Sequence, residues 1–188
     1  GAGGGKAAGS GLLGLYLKML EEAPLVTKAL TTAFLNFAGD ALCQFALSEP
    51  GTPFSWKRSF NFTLLGLALV GPALHVWYLN LAKIVAGLGL QGNAAAVGSL
   101  LLDQGLFAPC FVATFFCALL ALEGNVEGII PKLKQDLVPA VTTNWIIWVP
   151  FQFLNFRFVP QNFQVLAANV IALVWNTYLS WASYRKVA

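Results

Sequence analysis

The chain has 188 residues, of which 57% are hydrophobic and only 10% are charged. A soluble domain carries about 25% charged residues, so this composition excludes an ordinary soluble protein and requires most of the surface to face lipid or partner protein. The formal charge of +3, without a dense Lys/Arg patch or a Gly-rich phosphate loop, also excludes a nucleic-acid-binding protein.

Residues 1–11 form a Gly/Ala/Ser-rich tract, GAGGGKAAGSG, which predicts a flexible segment without a secretory hydrophobic region. We interpret the tract as the terminus left after removal of a transit peptide, which favours a mitochondrion or a plastid over a peroxisome. Leu12 to Leu20 then predict a short interfacial helix. No linker follows, so residues 12–188 are expected to form a single membrane-embedded helical domain.

Charged residues divide the rest of the chain into apolar segments. Arg58 and Lys83 enclose 24 uncharged residues, enough to span a hydrocarbon core of ~30 Å. Gly66 and Gly71-Pro72 within that segment predict a close helix approach or a kink. The predicted helices are residues 25–47, 59–82, 94–122, 137–158 and 158–184.

The fourth of these segments is interrupted by Pro139 and Pro150, which are expected to break its hydrogen-bond ladder, so its full crossing stays open. The sequence therefore predicts an all-α integral membrane protein. Its fold is a bundle of four to five transmembrane or membrane-embedded helices with a short N-terminal interfacial helix. Basic residues lie on both sides of the membrane, so they leave the orientation open.

Polar residues recur inside the apolar helices at helical spacing. The first long helix carries six residues four apart, which wind around it as a ridge, and the last carries four residues seven apart, which form a one-sided stripe. The ridge comprises Lys28, Thr32, Asn36, Asp40, Gln44 and Ser48, and the stripe comprises Asn162, Asn169, Asn176 and Ser183. The third helix adds Asp103 and Gln104, and the fourth adds Asn144, Gln152 and Asn155.

Two interpretations fit these stripes. Amides can form hydrogen bonds between helices, which contribute about 0.6 kcal/mol on average in membranes. Alternatively, the stripes converge on a wet path for small polar solutes. Asp40, Asp103 and Arg157 favour the second interpretation, because ionisable groups at membrane depth are costly and are usually functional.

Catalytic and metal sites are not expected. His75 is the only histidine, and the three cysteines show no metal-ligand spacing. No nucleophile–base pair or catalytic carboxylate pair is visible, so we expect no enzyme, no metal and no cofactor. The acidic residues Glu123, Glu127 and Asp136 are interpreted as solvated loop residues.

The segment from Asn144 to Pro160, NWIIWVPFQFLNFRFVP, follows the pattern W-x-x-W-x-P-x-Q-x-x-N-F-x-x-V-P. This run resembles the C-terminal signature of the Mpv-17 / peroxisomal 22-kilodalton membrane protein (PMP-22) family. Further motifs of that family occur in the same order between residues 16 and 181. These motifs are PLVTK at 24–28, Gly39-Asp40 with Gln44, Gly71-Pro72 with His75, Trp77 and Tyr78, LLDQGLFAPCF at 101–111, and WNTYLSW at 175–181.

Members of this family are integral membrane proteins of peroxisomes and mitochondria, associated with small-metabolite passage and with reactive-oxygen and nucleotide homeostasis. The resemblance implies a channel-like pore for small polar or anionic metabolites in an organelle membrane. The mitochondrial inner membrane is the first choice, with plastid and peroxisomal membranes as alternatives. The other hypothesis is a non-catalytic accessory subunit, docked on a larger membrane complex.

The residues expected to line or gate the pore are the polar groups of the stripes and of the signature. Arg157 would attract anions, and Asp40 with Asp103 would act as its partners or as a gate. The full set is Asp40, Asp103, Gln104, Gln152, Asn155, Arg157, Asn169 and Asn176.

Overall fold

The computed structural model describes residues 11–159 and 161–186, and within these ranges leaves out the side chains at 13, 155–157 and 161–166. The described residues form α-helices and two π-helical turns, without any β-strand. The α-helices are α1 (Leu12–Glu22), α2 (Pro24–Leu47), α3 (Trp56–Leu65), α4 (Gly71–Gly87), α5 (Gly92–Leu102), α6 (Ala108–Leu122), α7 (Ile129–Phe158) and α8 (Gln161–Tyr184). The predicted all-α fold is confirmed, including its short N-terminal helix.

A π-helical turn joins α3 to α4, and a second joins α5 to α6. They span Gly66–Val70 and Asp103–Phe107, and each is followed immediately by an X-Pro pair, Gly71-Pro72 or Ala108-Pro109. Proline lacks an N–H and its ring clashes with the carbonyl four residues earlier, so an extra residue in the turn relieves the conflict. Trp56–Gly87 is therefore one continuous helix, and so is Gly92–Leu122. Each contains a π-helical turn just before an X-Pro pair.

The fourth predicted segment differs from expectation at its start and in its interior. α7 begins at Ile129 rather than at residue 137, with Pro131 in the first turn, where proline is tolerated. Pro139 and Pro150 lie inside the helix without breaking it. α7 packs against both α6 and α8, and these contacts hold it in helical form despite the hydrogen bonds that the prolines remove.

Short connections make successive long helices antiparallel. The loops at 48–55 and 123–128 and the end of α8 lie at one end of the bundle, which we call the loop end. The loop at 88–91 and the start of α2 lie at the other end, which we call the entry end. α2 is central, because it packs against α3, α4 and α8.

Gly66 and Gly71 allow the predicted close approach to α2. A Cβ at Gly66 would lie 2.8 Å from the Thr32 carbonyl oxygen, and one at Gly71 would lie 2.6 Å from Ala29 Cα. Neither position has room for a larger residue.

The core is a cluster of aromatic and small side chains between α3, α6, α7 and α8. Phe62 and Phe115 are fully buried, with ring centres 5.1 Å apart in an edge-to-face arrangement. The outer surface is also apolar, with large hydrophobic side chains such as Phe45 and Phe153 exposed. This surface is what a bilayer would cover.

Three helices in the described part of the chain are long and apolar enough to cross a membrane: Trp56–Gly87, Gly92–Leu122 and Ile129–Leu154. α2 and α8 have 24 residues each, which at about 1.5 Å per residue also matches the hydrocarbon thickness. The chain is thus a helical membrane protein.

Candidate functional site

The polar ridge of α2 lies against the helix formed by α3 and α4. The Thr32 hydroxyl donates to the Gly66 carbonyl at 2.9 Å, and Asn36 Nδ2 donates to the Phe62 carbonyl at 3.0 Å. These bonds cross between helices, so this part of the ridge holds the bundle together, as the first interpretation of the stripes requires.

Asp40 is fully buried and accepts a hydrogen bond from four different side chains. Arg58 Nε and Ser180 Oγ both donate to its Oδ1 at 2.6 Å. Ser59 Oγ and Gln44 Nε2 donate to its Oδ2 at 2.6 and 2.8 Å. The carboxylate is paired with a cation and fully hydrogen-bonded, which is what a buried charge needs to be stable.

Arg58 extends this arrangement across the loop end. Its guanidinium carbon lies 4.1 Å from the centre of the Tyr184 ring, and the Tyr184 hydroxyl donates to Glu123 Oε1 at 2.8 Å. Asn61 Nδ2 donates to the same oxygen at 3.2 Å. We call Asp40, Arg58, Ser59, Ser180, Tyr184 and Glu123 the Asp40–Arg58 network. It ties α2, α3 and α8 to the residue that follows α6.

In the described residues the cation beside Asp40 is Arg58, which the sequence analysis does not place in the site. In the sequence Arg58 only marks the boundary of an apolar segment, and no periodic pattern connects it with Asp40. The side chain of Arg157 lies outside the described residues. Asp40 and Asp103, which are expected to act as partners of Arg157 or as a gate, belong to separate hydrogen-bonded groups.

A second ion-pair group joins α7 to the end of α8. Lys132 Nζ lies 2.8 Å from Asp136 Oδ2 and donates to the Arg185 carbonyl at 2.9 Å. Arg185 Nε donates to Asp136 Oδ1 at 2.6 Å. Lys132 and Asp136 are 2% and 1% exposed. The interpretation of Asp136 as a solvated loop residue is thus wrong. α7 begins at Ile129, so Asp136 lies inside the helix, and its carboxylate is buried in an ion pair with Lys132.

Asp103 lies in the π-helical turn between α5 and α6 and has neutral partners. Trp77 Nε1 donates to its Oδ1 at 2.7 Å, and Gln104 Nε2 donates to its Oδ2 at 2.7 Å. Asn144 Nδ2 in turn donates to Gln104 Oε1 at 3.0 Å. The two residues of the sequence motif thereby connect α4, α7 and the π-helical turn.

A cavity of about 160 Å³ lies inside the bundle beside this group. Its lining combines polar residues from several helices with aromatic and aliphatic ones. The polar part consists of Thr32, Asn36, Tyr78, Asp103, Gln104, Asn144, Gln152 and Asn176, and the aromatic part also includes Phe107, Phe111, Phe115, Trp148 and Trp175.

The predicted pore residues divide into three groups. Asp103, Gln104, Gln152 and Asn176 line the cavity. Asp40 belongs to the Asp40–Arg58 network, and Asn169 is half-buried in α8 without being part of the lining. The side chains of Asn155 and Arg157 lie outside the described residues.

The cavity is buried at one side and more open at the other. Asn36, Asn144 and Asn176 are buried, whereas Gln152 is half-buried and Tyr78 is exposed. Tyr78 and Gln152 lie in the halves of the helix Trp56–Gly87 and of α7 nearer the entry end, so the more exposed part of the lining is on that side. The Asp40–Arg58 network lies at the opposite end.

Asn36 leaves one polar atom unsatisfied at the cavity. Its Oδ1 is buried and has no hydrogen-bond partner, whereas its Nδ2 is bound to the Phe62 carbonyl. A buried acceptor without a donor destabilises a fold by about 1–3 kcal/mol. No group of three His, Cys, Asp or Glu side chains that could hold a metal ion occurs in the described part of the chain.

A family model described as the Mpv17 / PMP22 family matches residues 119–180. The chain is 36% identical to PXMP2/4 family protein 2 of Dictyostelium discoideum, over 93% of this chain and 92% of that protein. It is 35% identical to the mitochondrial inner membrane protein Mpv17 of Xenopus laevis, over 94% and 99% of the two chains. It is 32% identical to peroxisomal membrane protein 2 of Bos taurus, over 89% and 87%. No solved structure matches the chain.

Proposed function

The chain belongs to the Mpv17 / PMP22 family of membrane proteins, and from this premise we propose that it is a channel-like protein that passes small polar solutes through its bundle. Relatives carry mitochondrial inner membrane and peroxisomal membrane in their names. We place this chain in an organelle membrane, with the mitochondrial inner membrane as first choice and plastid or peroxisomal membranes as alternatives.

The single observation that supports this proposal best is the polar cavity in the bundle. Placing a polar side chain in hydrocarbon costs free energy unless the side chain is hydrogen-bonded to protein or to water. The cavity is lined by at least one polar side chain from each of five elements: α2, α4, α7, α8 and the second π-helical turn. The convergence of these polar groups on one space supports a path for polar solutes.

The described conformation is closed at the loop end. A solute that enters beside Tyr78 and Gln152 meets the Asp40–Arg58 network beyond the buried part of the cavity. Passage across the membrane therefore requires α2, α3 and α8 to separate near that network. Such a movement would break buried ion-pair contacts, so the closed state is expected to predominate at rest.

The preference for anions expected from the sequence depends on Arg157, whose side chain lies outside the described residues. We therefore propose small polar solutes as the class, and the preference for anions stays an expectation of the sequence alone. We also propose that the protein is not an enzyme. Its only histidine, His75, has its Nδ1 3.5 Å from Lys28 Nζ, and in the described residues no hydrogen bond joins it to a hydroxyl, thiol or carboxylate.

An accessory subunit of a larger membrane complex is the second candidate. It is favoured by the polar ridge of α2, where Thr32, Asn36 and Asp40 all bond to the neighbouring helix. In that case the cavity would be a packing defect filled with water, and the purified protein would leave a bilayer tight.

Solute flux into liposomes that contain the purified protein separates the two candidates. We expect glycerol to enter faster than in empty liposomes, and sucrose to be excluded by a cavity of about 160 Å³. Ala172→Leu, which fills the cavity, should reduce the glycerol flux, whereas Val170→Leu on the exposed face of the same helix should not. Tight liposomes with well-folded protein would favour the accessory subunit.

A further inference from the structure

Among the described residues, the lining of the cavity carries one negative charge without a paired cation. Asp103 is the one charged side chain among the described residues that line it, and no described cation pairs with it. Its partners, Trp77 and Gln104, are neutral donors. The contrast within the bundle is direct, because the buried Asp40 has Arg58 at 2.6 Å. We propose that the cavity binds small primary ammonium ions, whose amino group pairs with the carboxylate of Asp103.

The carboxylate has acceptor capacity left for such an ion. An ionised carboxylate offers about four acceptor positions, and the described donors, Trp77 Nε1 and Gln104 Nε2, occupy one position on each oxygen. A half-buried carboxylate at membrane depth, without a counter-charge, is unfavourable unless a cation or water accompanies it. A ligand that brings a positive charge is therefore stabilised relative to a neutral one.

Asn36 adds an unpaired acceptor to the residues that line the same cavity. The residue is 1% exposed, and its Oδ1 is without a partner. An ammonium group has three N–H donors and no acceptor, which is the complement of a lining that offers a free amide oxygen and a carboxylate. An anion has no donor to give to either group.

The aromatic residues fit the remainder of an organic cation. Six rings line the cavity, those of Tyr78, Phe107, Phe111, Phe115, Trp148 and Trp175. A cation over an aromatic face gains about 0.5–2 kcal/mol, and a short alkyl chain packs on the same surfaces. A bare metal ion would instead need about six oxygen ligands around one point, and no group of three His, Cys, Asp or Glu side chains that could hold one occurs in the described residues.

The volume of the cavity limits the size of the ligand. The cavity of about 160 Å³ resembles in volume an apolar protein cavity of about 150 Å³ that holds benzene. An ammonium ion with a chain of four carbons has a comparable number of heavy atoms. The inference deepens the proposed function, since it rests on solute entry into this cavity and names the class of solute that it favours.

Calorimetric titration of the purified full chain in detergent tests the site with three ligands of similar size: butylammonium, butanol and butyrate. We expect butylammonium to bind about tenfold or more tightly than butanol, equivalent to about 1.4 kcal/mol, and butyrate to bind most weakly. Asp103→Asn should abolish the difference between butylammonium and butanol. The matched control Glu127→Gln, which removes an exposed loop charge, should preserve it.

Equal affinities for butylammonium and butanol, stronger binding of butyrate, or no binding of any of the three would overturn the proposal. The titration of the unmodified protein decides this even if Asp103→Asn does not fold. The glycerol flux described above separates this inference from the proposed function. Flux without ammonium preference refutes the ammonium site alone, and ammonium binding without flux refutes the channel alone.

Discussion

Asp40 of α2 and Arg58 of α3 form an ion pair in which Nε and Oδ1 are 2.6 Å apart, and the carboxylate is completely buried. Each member has further partners on a third helix, because Ser180 of α8 donates to Asp40 and accepts from Arg58. The pair therefore fixes the relative positions of three helices at the loop end of the bundle.

Removing Arg58 alone should destabilise the protein strongly. In Arg58→Gln the carboxylate of Asp40 stays buried without its cation, and breaking such a pair costs about 3–5 kcal/mol. The double variant Asp40→Asn with Arg58→Gln leaves no buried charge and should recover part of the loss. Thermal unfolding in detergent measures both. Equal destabilisation by the single and double variants would show that the two charges do not stabilise each other.

Removing the charge of Asp136 should also reduce stability, because it isolates Lys132 in a position that is only 2% exposed. Asp136→Asn retains the shape of the side chain but not its charge, so we expect a loss of about 3–5 kcal/mol in the free energy of unfolding. Glu127→Gln, in the exposed loop before α7, is the matched control and should be neutral. Similar unfolding midpoints for the two variants would contradict the buried ion pair.

Gly39 permits the contact between α2 and α8. A Cβ at this position would lie 2.6 Å from Asn176 Cβ and 2.9 Å from the Asn176 carbonyl carbon. We expect Gly39→Ala to destabilise the bundle by about 1–3 kcal/mol through overpacking. Gly87→Ala, at the end of α4 with open space around it, should be neutral or stabilising, because alanine is the better helix former. The order of their unfolding midpoints checks the helix contact.

The helices were predictable from the sequence because lipid requires long uncharged segments. The uncharged run after Arg58 marks the helix Trp56–Gly87 to within a few residues. The same criterion misplaces the start of α7, where Lys132 and Asp136 neutralise each other inside the helix. A count of charges cannot distinguish a charge in water from one that is paired and buried.

The polar residues of the site were predictable as types, but their partners were not. Their polar type inside apolar segments identifies Asp103, Gln104 and Gln152 as interior groups, and the structure brings them to one cavity. The pairing of Asp40 with Arg58 depends on how α2 and α3 cross, which no periodicity records. Trp77 reaches Asp103 for the same reason, across two different helices.

A channel requires that the cavity contain water that is connected to the aqueous phase. Single cysteines at Gln152 and Asn176 test it directly, in a background with Cys43→Ser, Cys110→Ala and Cys117→Ala. Val174→Cys, on the exposed face of α8 two residues from Asn176, is the lipid-facing control. The readout is the rate of modification by a small, positively charged thiol reagent in liposomes.

The proposed function predicts that the cysteines at 152 and 176 are modified and that the cysteine at 174 is not, with 152 faster because it is less buried. Prior addition of butylammonium should slow the reaction at 176 if the ligand occupies the cavity. Well-folded protein in which the cysteine at 176 reacts no faster than the one at 174 would contradict a water-filled cavity and, with it, the channel.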